Sequence, residues 1–438
     1  MEAKVTIIGG GLAGIEAAYQ IAKRGIACEI VEMRPEVNTE AHTTPYLAEM
    51  VCSNSLGSNE WTSASGLLKE ELRRLDSFFL RMAEKFRVPA GNSLSVDRLR
   101  LAEAITRETV SLPQVKVIRR EAKDLPQSSA PVIIASGPLT SASLACAISE
   151  FTMRKNLFFF DATCPLIAAD SIDFSRLFAG TRYNKGEADF LNIALDEVEY
   201  RQFVEQLCAA ETVDMKEFEK DIFFEACLPI EELARRGEKS LSYGPLKPVG
   251  LVDPRTHKMP HAVIQLRQDD LNKAFYQLVG FQTRLKWNEQ KRIFRTLPGL
   301  EHAEFERFGR MHRNTYLNAP LILNRFFQAQ TNPALFFAGQ ISGVEGYVES
   351  VSSGLLAGLA VAATIRGQTL TPLPDETACG ALLRHITGAD WKDFTPTKFS
   401  FGLLPSEGFE LKNKKKKKGL LAERALDAMS RWITKTGI

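Results

Sequence analysis

Apolar residues in this chain gather into short buried runs and helical stripes, with no single repeat. Val5-Thr6-Ile7-Ile8 is a run of strand length that leads straight into Gly9-Gly10-Gly11-Leu12-Ala13-Gly14. From about Leu12 to Lys23 the apolar positions return at helical spacing, and Ala27 to Val31 is a second apolar run ending at Glu32. The pattern predicts a buried strand, a glycine turn, an amphipathic helix and a second strand. Pro131 to Pro138 predicts another short strand closing in a small-residue turn, and Ala334 to Gln340 one more, followed by a loop over Ile341 to Gly346. Tyr347 to Ile365 predicts a helix rich in small residues, and Leu420 to Ile433 a last helical segment.

The first of these units reads as a dinucleotide site. Gly9 permits the tight turn, Gly11 admits a pyrophosphate close to the backbone, and Gly14 lets the helix pack on the strand. Gly10, Leu12 and Ala13 complete the turn and the helix start, whose N–H groups and positive dipole end favour phosphate. Glu32, eighteen residues beyond Gly14, stands where an acid accepts a ribose hydroxyl. A glycine loop alone is ordinary turn chemistry; here both strands, the helix and the acid agree with it. The late strand-loop-helix adds Gly339, Gln340, Gly343, Gly346 and Tyr347, a second contact of the kind flavoproteins use, so FAD is the expected tightly held cofactor. Both ends of the chain then build one domain and leave the middle free as an insertion.

Length makes a single core insufficient: 438 residues predict two domains. Hydrophobic content of 45% and charged content of 25% are those of an ordinary globular chain. No apolar run is read as a membrane span and no leader peptide as present, so a cytoplasmic location without a membrane partner is expected. The seven cysteines lack Cys-x-x-Cys spacing, which predicts reduced thiols and no metal site. Cys28, Cys146 and Cys208 are read as small buried hydrophobes. The net charge of +2 hides a run of lysines at 412 and 414 to 418, open to two readings: a solvated tail, or a contact for phosphates.

Several longer blocks resemble the folate-dependent tRNA (uracil-5)-methyltransferase family. They are Glu49 to Gly57, Asp161 to Pro165, Arg182 to Asp189, Phe224-Glu225-Ala226-Cys227-Leu228-Pro229, Tyr243 to Leu251, Gln265-Leu266-Arg267, Leu278 to Thr283, Met311 to Thr315 and Gly343 to Ser350. The resemblance covers essentially the whole chain. It implies methylation of C5 of the T-loop uridine (position 54) of tRNA. The carbon would come from 5,10-methylenetetrahydrofolate by way of reduced flavin N5, and NAD(P)H would reduce the flavin again.

C5 of uracil is a weak nucleophile until a group adds to C6, and a thiolate suits that step. By this resemblance Cys227 is the nucleophile and Cys52 either takes the C5 proton or protects the flavin-bound carbon; the two roles are exchangeable on sequence grounds. Tyr347 is read as stacking on a ring or as covering the helix start. His312, with Arg313 and Asn314, is read as a contact for RNA or folate, and His312 as structural rather than an acid or base.

Candidate phosphate contacts are Arg235, Arg236, Lys286, Lys291, Arg292, Arg295 and the lysine run. The predicted architecture is α/β, a Rossmann-like FAD-binding domain of the glutathione reductase type with an inserted smaller α/β domain. The FAD-binding parts are 1–195 and 305–438, the latter with the basic tail, and the insertion is 196–304, with the active site in the cleft between them. tRNA is the expected partner, with no obligate protein partner. Alternatives are the same chemistry on a ribosomal RNA uridine and a non-methylating flavoprotein that binds RNA. Flavoproteins that modify the tRNA wobble uridine are also related, but carry a longer C-terminal helical region.

Overall fold

The structure is a computed structural model and describes residues 5–126, 129–154, 157–184, 189–213, 228–408 and 413–438. The first apolar run forms β1 (Val5–Ile8), the glycine turn leads into α1 (Leu12–Ala22), and β2 (Cys28–Glu32) follows. β1 and β2 pair in parallel with Ile7 opposite Ile30. The sheet has five parallel strands in the order Leu335–Phe337, Val132–Ile134, β1, β2, Val115–Arg119. Its central strands are buried on both faces, which is why they read as continuous apolar runs instead of alternating ones. The late strand pairs at the sheet edge with Phe336 opposite Ile133, so both ends of the chain share one core.

The helix after that strand, α2 (Tyr347–Ile365), lies against α1. The approach is close enough that a Cβ on Gly354 would stand 2.2 Å from the Ala13 carbonyl oxygen. At 19 residues and a mean hydropathy of 1.6, α2 has the length and composition of a membrane span. That differs from the sequence expectation. In this fold its apolar surface is spent on the core, from Val348 through Ala362.

A second core gathers residues between Ile167 and Ala303. Its sheet is antiparallel, six strands in the order Phe178–Ala179, Phe190–Leu195, Ala262–Gln268, Phe275–Leu278, Leu166–Ala168, Phe305–Arg307. The helices Glu197–Ala209 and Trp287–Phe294 supply Tyr200, Phe203, Ile293 and Phe294 to it. Between the two cores runs an antiparallel ribbon of Leu157–Ala162 and Met311–Tyr316, which carries the chain out and back.

The chain ends in α3 (Lys414–Thr436), so the run 414 to 418 forms the start of a helix, and Lys412 lies outside the described residues. Cys28 is buried as expected, and burial pushes its thiol up to about 12. Cys146 and Cys208 are exposed on the outer faces of their helices, which corrects their reading as buried hydrophobes. Periodicity places a cysteine on a helix but not on its inner side when the neighbouring residues are small.

Candidate active site

The glycine turn builds one wall of a cleft. Gly9 has φ +103°, and a Cβ there would stand 2.4 Å from the Ala135 carbonyl oxygen; at Gly14 it would stand 1.9 Å from the carbonyl oxygen of Gly9. These two glycines are required by the fold itself. A Cβ on Gly11 would meet no atom within 4 Å and would enter the cleft. The start of α1 has no side-chain cap, and neither has the start of α2 at Gly346. Each therefore offers backbone N–H groups and a positive dipole end.

Glu32 lines the cleft while accepting the N–H of Gly10 at 2.8 Å and the Arg34 Nε at 2.9 Å. Burial would raise its carboxyl, but the Arg34 guanidinium and these N–H donors outweigh it and hold the group below the usual carboxylate range. Arg34 also reaches Glu49 at 2.9 Å, so β2 ends in a buried charged network. Of the residues assigned to the dinucleotide from sequence, Gly9, Gly11, Leu12, Ala13, Glu32, Gly339, Gln340 and Tyr347 line the cleft. Gly10 acts through Glu32, Gly14 packs inside the turn, and Gly343 and Gly346 shape the loop before α2 with φ +88° and +108°.

Cys52 stands on the same wall. Its Sγ lies 3.5 Å from Oδ2 of Asp161, and His312 Nε2 lies 3.9 Å from that same oxygen. Asp161 and His312 are directly opposed in the ribbon between the cores, and they are 5% and 3% exposed. Sulfur, carboxylate and imidazole fall within 4.8 Å of one another, while Asp161 Oδ1 is taken by the N–H of Ala162. Among the described residues, the Nδ1 of His312 is buried with no hydrogen-bond partner.

The loop carrying Cys52 is held from both sides. From α2, the Tyr347 hydroxyl accepts the N–H of Cys52 at 2.8 Å and of Ser53 at 3.1 Å. Its place is thus at the helix start, gripping the thiol loop, and burial raises its phenol far above the ordinary value. From the second sheet, Gln277 Nε2 donates to the Cys52 carbonyl and Arg267 donates to Ser53 Oγ and to Gln277. Asn54 donates to the Gln268 carbonyl, and Arg98 pairs with Asp269 at 2.6 Å.

Sequence reasoning singled out Cys52 and passed over Asp161 as a partner and His312 as more than structural. Both stand in blocks that carry the family resemblance, Asp161 to Pro165 and Met311 to Thr315. Their pairing rests on strand register across about 150 residues, which no local pattern carries. Cys227, with Phe224, Glu225 and Ala226 of its block, lies outside the described residues.

A family model described as glucose inhibited division protein A matches residues 4–369. The methylenetetrahydrofolate–tRNA-(uracil-5-)-methyltransferase of Citrifermentans bemidjiense is 51% identical over 99% of both chains. The enzyme of that name from Pelotomaculum thermopropionicum is 50% identical over 98% of both. Among solved structures, Aquifex aeolicus GidA in its form II crystal superposes with a TM-score of 0.69 at 15% identity, over 98% of this chain and 73% of that one. Its form I crystal gives 0.67 at 18%, over 87% and 69%. At those identities the structures attest the fold, a Rossmann-like α/β architecture. The family match and the two relatives at half identity say more: this chain belongs to the glucose inhibited division protein A family and, within it, to the methylenetetrahydrofolate–tRNA-(uracil-5-)-methyltransferases.

Proposed function

We infer that this protein methylates C5 of the T-loop uridine in tRNA, with methylenetetrahydrofolate as carbon source and FAD as its cofactor. The observation that carries the reading is the thiol, carboxylate and imidazole grouped on the wall of a dinucleotide cleft, in a chain half identical along its length to enzymes of that name.

The cleft residues fit FAD. Two uncapped helix starts face it, Glu32 is held ionised at its edge, and the only side-chain volume missing from the turn is the one a pyrophosphate needs at Gly11. When bound, the reduced flavin supplies the carrier atom for the one-carbon unit and the electrons that complete its reduction, and NAD(P)H restores it.

The protein's share is addition, proton movement and exclusion of water. Cys227 adds to C6 of the uracil, a role carried by the resemblance alone. Cys52 takes the C5 proton, with Asp161 sharing that proton across the 3.5 Å contact and His312 behind it. Tyr347, Gln277 and Arg267 fix the loop so that the sulfur keeps its position.

The test is transfer of labelled carbon from methylenetetrahydrofolate into unmodified tRNA with FAD and NADPH present, against a transcript lacking the T-loop uridine. Label in the intact tRNA alone is the expected result. Label in the transcript lacking that uridine as well, or none with flavin bound and reducible, overturns it.

A further inference from the structure

The lysines at the start of α3 differ from Arg235, Lys286 and Arg292, three of the other cations suggested by the sequence. In the second core, Arg235 pairs with Glu232, Lys286 with Glu211 and Arg292 with Glu289, so their charge is largely answered within the protein. Among the described residues no carboxylate answers Lys414 to Lys418. Lys414, Lys415, Lys416 and Lys418 are exposed, and Lys417 is half-buried.

Their position works against the helix that carries them. Five cations occupy the positive end of the dipole, with no acid in the first turn. Lys414 and Lys418 are also four residues apart on one face, and two further pairs are three apart, all of like sign. The Asn413 side chain relieves this end, accepting the N–H of Lys415 and Lys416 at 3.0 and 3.1 Å. The helix holds because its later turns are anchored. Leu421, Ala425, Met429 and Trp432 are buried, and Arg74 donates to the Leu426 carbonyl and to Ser430. A charged end kept in place against its own repulsion is stabilised by an anion that spans several lysines.

A chain of contacts links this end to the start of α2. The Lys418 ammonium sits 5.7 Å over the Phe401 ring, and Phe401 meets Phe399 at 6.2 Å between centroids. The N–H of Phe399 donates to Glu349, in the first turn of α2, two residues after Tyr347.

We propose that the start of α3, Lys414 to Lys418, is a docking surface for the phosphate backbone of the tRNA substrate. The inference rests on the tRNA reading above. Such contacts give affinity and position without reading bases, so they act on KM and leave kcat at saturating tRNA unchanged.

The experiment uses the full-length, flavin-loaded protein, and measures affinity for an unmodified tRNA transcript by fluorescence anisotropy from about 50 to about 300 mM KCl. Replacing all five lysines by glutamine weakens binding at least about tenfold at the low-salt end. It also reduces the slope of log K against log salt by about one unit for each lysine that meets a phosphate. Replacing them by arginine keeps the wild-type slope. Flavin content and melting temperature stay the same or rise, because like charges have been removed from the helix end. If the glutamine variant loses flavin, Lys415→Gln with Lys416→Gln repeats the test with a slope change of about one to two units.

An unchanged slope and affinity in the glutamine variants, or an arginine variant as weak as the glutamine one, overturns the proposal while methylation by the wild type stands. Failure of the wild type to bind or methylate tRNA removes the substrate reading, and the docking surface with it.

Discussion

At the scale of single residues, the chemistry turns on one proton between Cys52 and Asp161. Asp161 Oδ2 lies 3.5 Å from the sulfur and accepts the thiol proton's hydrogen bond. Asp161→Asn removes the carboxylate that shares this proton: methyl transfer falls about 10²- to 10⁴-fold, with flavin content kept, as labelled-carbon transfer and flavin absorbance would record. An unchanged rate would count against the pairing. Tyr347→Phe removes the acceptor of two backbone N–H groups and costs about 2 kcal/mol in denaturant unfolding, flavin content being kept.

Glu345 supplies a pH dependence. Burial raises its carboxyl to about 8, against the opposing pull of Lys398, so the folded protein keeps a proton that the unfolded chain releases above its ordinary value of 4.5. Stability therefore falls as pH rises through that window, by about 1 kcal/mol per unit from this group. Glu345→Gln removes that share, and thermal unfolding followed from pH 5 to 8 should show a flatter profile.

At the scale of elements, two glycines of similar sequence character do different work. Gly11→Ala places its methyl in open cleft, so the apoprotein keeps its melting temperature and FAD binding is lost. Gly354→Ala drives a methyl into the Ala13 carbonyl and lowers the stability of the apoprotein itself, by about 1–3 kcal/mol. Flavin absorbance and a melting curve for each variant distinguish the cases. The first glycine was legible because its strand, helix and acid lie within 32 residues. The second was legible only as a small residue in a helix, since its reason is a partner helix at the other end of the chain. The lysine run was visible as charge, whereas its helical state depends on the apolar turns that follow it.

At the scale of the molecule, the thiol loop is the seam between two cores. Arg98 belongs to a helix of the first core and Asp269 directly follows a strand of the second, and their largely buried pair is part of that seam. Arg98→Ala leaves a buried carboxylate unpaired and costs about 3–5 kcal/mol; adding Asp269→Asn recovers part of that loss, and a double-mutant cycle in denaturant measures the coupling. Composition and motifs made the first core readable. The seam was hidden, because Gln277, Arg267, Asp161 and His312 reach Cys52 through sheet register and not through spacing.

The long apolar helix α2 has a consequence for synthesis of the chain. As it emerges from a ribosome, a stretch of such hydropathy offers itself to any greasy surface, including a lipid bilayer. Its resting place is ready beforehand: α1 and the inner strands are already translated when Tyr347 appears. The nascent protein thus completes its oldest layer with one of its youngest, and the interval before that closure is when it is most open to going astray.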